Sequence, residues 1–321
     1  MINHRCHLLW RKVLLSVGLG VLLLEGAGHV LLGNYAQSEL VQRMEDPNLC
    51  LALGKNRDLT YTGWYRKVQP TLMESNEFTS REPRKNLKEQ GDNLSLFILG
   101  DSFTYGQGVN YDEALPYQVQ SLINPYLTHL SKKKVDVWNF GVPGRHFYQI
   151  PSDIERLLTL NPDAIVVNLF INDFHEAPGQ CFFQQDDWRL KVMRECYVCR
   201  GVLMAFRPQP VLLSKEEIAV EVANTIQQIQ AIGVSENIPI WFVLMMDGYA
   251  ADSFEYPLPD IADILRRNTE NWIDLRMIWE QILRNPQEME IAGEYHLTPL
   301  GNQVLAQEYA KQLGIRLNRE Y

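Results

Sequence analysis

The sequence has no excess of positive charge, few cysteines and no repeat, and each shortage removes a class of function. Lys and Arg total 30 against 39 Asp and Glu, giving a net charge of −9. The one basic cluster, Lys132–Lys134, reads as a solvated loop before a strand. Binding nucleic acid needs a basic stripe that neutralises phosphates, so the charge balance argues against a nucleic-acid partner. No His-x-x-x-His pair and no Asp/His cluster stands at ligand spacing, which argues against a metal enzyme. The only Cys-x-x-Cys, Cys196–Cys199, lacks the second pair that a four-thiolate zinc site needs. Gly106-Gln107-Gly108 lacks the third glycine of a dinucleotide fingerprint. No internal repeat or low-complexity tract is present.

What remains is a chain of 321 residues, 46% hydrophobic and 10% aromatic, enough to bury the core of one large domain with an insertion. Its N-terminus departs from the rest. A basic start (Arg5, Arg11, Lys12) is followed by an apolar stretch from Val13 to Leu32, interrupted by Glu25 and His29. About 20 apolar residues span a bilayer, so 13–33 is long enough. No small-x-small cleavage site stands out. The expectation is an uncleaved signal-anchor at 13–33, with residues 1–12 held in the cytoplasm by their positive charge and the rest of the chain outside it. A cleaved signal, or a hydrophobic helix packed on the domain, are the alternatives. Beyond that stretch lie Cys50, Cys181, Cys196 and Cys199, with Cys6 in the basic tail. Four cysteines in an oxidising compartment suggest up to two disulfides, in any of three pairings. Free buried thiols, or redox or zinc work by the Cys196–Cys199 pair, are the other readings.

Residues 34–92 are polar and irregular and read as a connection packed on the domain, which begins at 93. From there strands and helices alternate. Strands are expected at 94–100, 135–141, 163–170 and 238–246, with a short fifth at 272–275; helices at 113–124, 152–160, 215–237, 261–268 and 299–313. The strands are apolar without alternation, as strands buried on both faces are. The pattern predicts a three-layer α/β/α domain with a mainly parallel sheet. Residues 174–213, aromatic and cysteine-rich, break the rhythm and read as a cap insertion, which either lines a pocket or only covers the core.

Ligands on parallel sheets bind beyond the carboxyl ends of the strands, so polar residues there carry the functional signal. The first strand runs out into Gly100-Asp101-Ser102, the second into Asn139-Phe140-Gly141-Val142-Pro143-Gly144, the third into Asn172-Asp173. His296 stands just before Thr298-Pro299, an N-cap followed by proline at the first helical position. Acyl transfer needs a nucleophile, a base and oxyanion donors. Ser102 at a strand end is the candidate nucleophile. Its own N–H, that of Gly141 and the side-chain amide of Asn172 are candidate oxyanion donors. Of the histidines beyond the N-terminal stretch, His129 reads as surface, and His146 and His175 read as cleft-lining or as ordinary loop residues. His296, set between a glycine-glutamate loop and a capped helix, is the candidate base.

These blocks, "GDSFTYG", "NFGVPG", "ND" and the late "HLTPLG", resemble those of the SGNH, or GDSL-type, hydrolases over roughly 90–313. The preceding "ESNEFTSREPRKN" is similar to the lead-in of membrane-anchored bacterial members. The resemblance implies the three-layer α/β/α fold, no cofactor, Ser102 as nucleophile, His296 as base, and an oxyanion hole of Ser102, Gly141 and Asn172. Two positions depart from the pattern. Phe170 stands where the third block usually has glycine, and either narrows the site or packs beneath it. Glu294 stands where an aspartate usually precedes the histidine, and either orients the imidazole or points to solvent, leaving that task to a backbone carbonyl. Asp101 and Asp173 are expected to be structural. The leading expectation is a membrane-anchored serine esterase acting on an acylated glycan or lipid. The alternatives are an O-acyltransferase of envelope polysaccharide using the same serine, and a non-catalytic glycan-binding protein on the same fold.

Overall fold

The computed structural model describes residues 93–127, 134–174, 212–246, 258–291 and 296–320, together with Gly20, Arg81 and short strands at 41–42, 52–53, 58–61 and 71–74. The apolar 13–33 segment (Gly20 apart), all five cysteines, His129, His175, Glu294 and the insertion between 175 and 211 lie outside the described residues. The chain divides into two compact units, Met1–Ser38 with Phe183–Gln209, and Glu39–Phe182 with Pro210–Tyr321. Every element below belongs to the second. No helix of the described residues is long and apolar enough to cross a membrane.

Five strands form one parallel sheet: β1 Leu94–Gly100, β2 Val135–Gly141, β3 Ala164–Leu169, β4 Ile240–Leu244 and β5 Trp272–Asp274, in the order β2-β1-β3-β4-β5. Every residue of β1, β3 and β4 is buried. Alternate side chains of a strand point to opposite faces, and here both faces are covered. Leu96, Ile98, Val137, Val166 and Val243 pack on one face, with Val119, Ile282, Leu305 and Leu313 from helices α2 (Leu115–Ile123), α6 (Arg276–Leu283) and α8 (Pro299–Glu320). Phe97, Leu99, Trp138, Val167 and Phe242 pack on the other, with Ile154, Val222, Ile229 and Leu265 from α3 (Ile150–Leu157), α4 (Lys215–Glu236) and α5 (Ile261–Asn268). The expected three layers are therefore present.

Local signals set the element ends. Ser214 caps α4 reciprocally: its hydroxyl accepts from the Glu217 N–H at 3.2 Å and the Glu217 carboxylate accepts from the Ser214 N–H at 2.8 Å. The helix stops at Asn237, in the left-handed region at φ 55°. The last helix runs to Glu320, not 313, because Leu313 and Leu317 continue its buried stripe. Not expected were α6, a single turn α7 (Pro286–Met289), and the short strands at 41–42, 52–53, 58–61 and 71–74 in the stretch read as irregular. The chain steps from β1 to β2 on one side and to β3 on the other. The order thus reverses between β2 and β3 around β1, and the carboxyl ends of these strands form the crevice where such sheets bind ligands.

Candidate active site

Ser102 opens a one-turn helix, α1 Ser102–Tyr105, directly beyond β1. Asp101 caps it, its carboxylate accepting from the Phe103 N–H at 2.9 Å. Gly106, at φ 78°, closes it in the left-handed conformation. The turn is pressed against the end of β2: a Cβ on Gly141 would fall 2.2 Å from the Tyr105 nitrogen. Two asparagines inside the apolar strands tie it to the sheet. Asn139 Nδ2 donates to the Tyr105 carbonyl at 3.3 Å. Asn168 Nδ2 donates to Thr104 Oγ1 at 3.0 Å, while its Oδ1 accepts from the Tyr309 hydroxyl of α8 at 2.8 Å. Buried amides in a strand need such partners. Asn139 belongs to the block singled out in the sequence; Asn168 was not singled out, although a polar residue within an apolar strand was its visible signal.

His296 Nε2 lies 2.9 Å from Ser102 Oγ, across 194 residues of sequence. The segment carrying it folds back on α7: its carbonyl accepts from the Ile291 N–H at 2.7 Å, and the Thr298 N–H donates to the Met289 carbonyl at 2.8 Å. Thr298 Oγ1 accepts from the Gly301 N–H at 3.2 Å, which confirms the cap expected before α8. The imidazole lies against Phe103, with ring centroids 4.9 Å apart. Phe103 stacks on Phe170 at 4.2 Å and 17°, and Trp279 meets both edge-on at 5.5 and 5.3 Å. Phe170 is 1% exposed. It therefore packs beneath the site and does not narrow it, and Trp279, on the unexpected helix α6, completes the support. Burial lowers the His296 pKa from 6.5 to about 4. Glu294, expected to orient the ring, lies outside the described residues.

Asn172 enters from the short turn after β3. Its Nδ2 donates to Asp101 Oδ2 at 3.0 Å, so Asp101 holds both the Ser102 turn and the Asn172 amide. Asp173 is buried below, one carboxyl oxygen accepting from the Phe170 N–H at 2.8 Å. Burial raises Asp101 to about 6 against the hydrogen bonds it accepts. Burial, and then the charge of Asp101, raise Asp173 well above the usual carboxylate range.

Gly141 does not fit the donor role expected of it. Its N–H donates to Asn139 Oδ1 at 3.0 Å, and the missing side chain admits the α1 backbone. The exposed glycine on this turn is Gly144, at φ 78°, whose N–H no described group accepts. Beside it Arg145, 2% exposed, binds Asp153 at 2.7 Å and donates to Gln149 Oε1 at 3.3 Å, which anchors the turn. His146 sits at the start of the next short turn with a partly buried side chain. No group of three or more His, Cys, Asp or Glu among the described residues is arranged to hold a metal ion.

The arrangement brings together a hydroxyl, a neutral imidazole in contact with it, and amide donors at one crevice, which is what acyl transfer requires. The profile of the GDSL-like lipase/acylhydrolase family matches residues 98–304. Among solved structures, a lipase/acylhydrolase from Enterococcus faecalis is 17% identical, with a TM-score of 0.42 over 70% of this chain and 96% of its own. LAE5, an alpha/beta hydrolase enzyme from the metagenome of Lake Arreo, is 16% identical, with a TM-score of 0.41 over 69% and 95%. The esterase EstA from Pseudoalteromonas sp. is 12% identical, with a TM-score of 0.41 over 71% and 100%. No curated protein matches the chain in sequence.

Proposed function

The chain belongs to the GDSL-like lipase/acylhydrolase family, and from that membership we propose that it is a serine esterase working through an acyl-Ser102 intermediate. The observation that carries the reading is the 2.9 Å contact between His296 Nε2 and the hydroxyl of a partly exposed Ser102. His296, neutral, takes the Ser102 proton as Oγ attacks the ester carbonyl carbon. For Nε2 to accept that proton, the ring's own hydrogen sits on Nδ1. The carbonyl oxygen becomes an oxyanion facing the Ser102 N–H at the start of α1, the free N–H of Asn172 Nδ2, and the Gly144 N–H in place of Gly141. Collapse breaks the bond to the leaving alkoxide, which receives the proton from His296. Water, deprotonated by His296 in turn, attacks the acyl-enzyme, and the carboxylic acid leaves with Ser102 restored.

In this reading the 13–33 segment tethers the enzyme to a membrane, with residues 1–12 cytoplasmic and the catalytic unit outside. The substrate is an acylated glycan or lipid of the envelope. The basic flank and apolar length of the N-terminus support the tether. The test is hydrolysis of p-nitrophenyl acetate and butyrate by the full chain beside Ser102→Ala. Turnover reduced at least about a thousandfold in the mutant is expected. Equal rates in the two proteins would refute the serine mechanism. No turnover, with stoichiometric fluorophosphonate labelling of Ser102, would move the reading to an O-acyltransferase. Absence of both would favour a binding protein.

A further inference from the structure

Arg81 lies in the segment leading into the domain, 21 residues before Ser102, and is 0% exposed. Its guanidinium donates to the carbonyls of Tyr105, Gly106 and Val109, the Gly106 bond measuring 2.6 Å. The same group lies over the Tyr105 ring, 4.3 Å from its centroid. Its backbone N–H donates to the Asn139 carbonyl of β2 at 2.8 Å. Arg81 thus bridges the end of β2 and the far end of the turn that presents Ser102.

We infer that Arg81 is a positioning residue for Ser102, acting as a cationic C-cap on its turn; the inference rests on the esterase reading above. A helix of four residues cannot sustain itself, since nucleation fixes several dihedrals for one hydrogen bond. Its shape has to be imposed from outside. Asp101 fixes the first N–H groups, Gly141 fixes the flank, and Arg81 satisfies the last carbonyls and places a positive charge at the negative end of the helix. The path to the hydroxyl is short. The Ser102 carbonyl accepts from the Gly106 and Gln107 N–H groups at 3.0 Å each, and Arg81 holds Gly106 from the other side. A shift of Gly106 therefore carries the Ser102 backbone away from His296. The seat also needs Gly106 as it is: a Cβ there would stand 2.8 Å from Arg81 Nη1. Lysine cannot replace the fork, because its ammonium is a point charge, while the bonds to the three carbonyls come from two separate guanidinium nitrogens.

The test uses the full chain with Arg81→Lys and Arg81→Met, read by fluorophosphonate inactivation at saturating probe. The expected result is a maximal inactivation rate about tenfold lower or more, with the probe's reversible binding constant unchanged, since small displacements of a reacting group cost rate steeply. A merely structural role would lower the thermal midpoint and the fraction of protein labelled at completion. The rate of the folded fraction would then stay at the wild-type value. Amide exchange of residues 105–107 is expected to quicken in Arg81→Lys while that of β1 and β3 does not. A maximal rate in Arg81→Lys within threefold of wild type overturns the inference, and this variant decides alone if Arg81→Met does not fold. Wild-type protein that fails to label would overturn the esterase reading and this inference together; labelled wild type with fully reactive variants would overturn this inference only.

Discussion

Burial of His296 leads to a kinetic prediction that separates it from an ordinary histidine. The fall in pKa from 6.5 to about 4 comes from packing the imidazole against Phe103, itself stacked on Phe170 and edged by Trp279, where the charged form loses hydration. That difference of 2.5 units corresponds to about 3 kcal/mol of preference for the neutral ring. On the proposed mechanism the neutral ring is the active form, so kcat/KM for p-nitrophenyl acetate reports its ionisation in the free enzyme. With an inflection near 4, about 0.9 of the ring is neutral at pH 5; with an unperturbed histidine about 0.03 is, a thirtyfold difference that adds to any inflection near 6 from Asp101. The assay is a profile from pH 4 to 9, with tryptophan fluorescence at each pH to show that the protein remains folded. Phe103→Ala, which opens one ring face to water, is expected to move the inflection up toward 6.5. An inflection at or above 6.5 in folded wild-type protein would refute the reasoning, and would mean that a carboxylate beside the ring outweighs burial.

Two substitutions test the packing around the site. Phe170→Ala removes a fully buried ring that stacks on Phe103 and is expected to cost about 3–5 kcal/mol in urea denaturation, with slower acylation. Faster turnover would instead show that Phe170 obstructs the site. Gly141→Ala forces a Cβ to within 2.2 Å of the Tyr105 nitrogen. Backbone must move to relieve it, so a loss of about 1–3 kcal/mol and a fall in acylation rate are expected. Unchanged stability would return Gly141 to the donor role expected from sequence.

The strands and the crevice were legible because both follow from short-range rules. An apolar run without alternation marks a strand buried on both faces, and β1 and β2 stand where those runs predict. The residues after each run then had to share the carboxyl edge of the sheet. That placed Ser102 and Asn172 in one crevice, and the Thr298-Pro299 cap placed His296 at a rigid helix entry. What could not be read is which group a backbone amide faces. Gly141 and Gly144 stand three residues apart in one glycine-containing turn, and only the position of Asn139 shows that the first amide is engaged. The Trp279 support was hidden for a similar reason. Helix α6 is short and follows β5 with only Leu275 between them, and its aromatic partners lie more than 100 residues away. Arg81 was hidden because an arginine in a polar segment reads as solvated until three carbonyls are seen around it.

The two buried carboxyls fit the proposed chemistry best when only one of them ionises. Asp101, raised to about 6, is largely charged at neutral pH. Its charge sits behind the Asn172 amide, where accepting one N–H polarises the other toward the developing oxyanion. Asp173 faces a steeper barrier, because its burial is compounded by the charge of Asp101. It therefore takes up its charge less readily than Asp101, since like charges on neighbouring carboxyls oppose each other's ionisation. This matters for catalysis because the oxyanion is itself a new negative charge in the same crevice. Two carboxylates below it would oppose its formation, whereas one carboxylate already compensated by the Asn172 and Phe103 donors opposes it far less. Asp101 then fixes the donors, and Asp173 holds the Phe170 backbone by accepting its N–H.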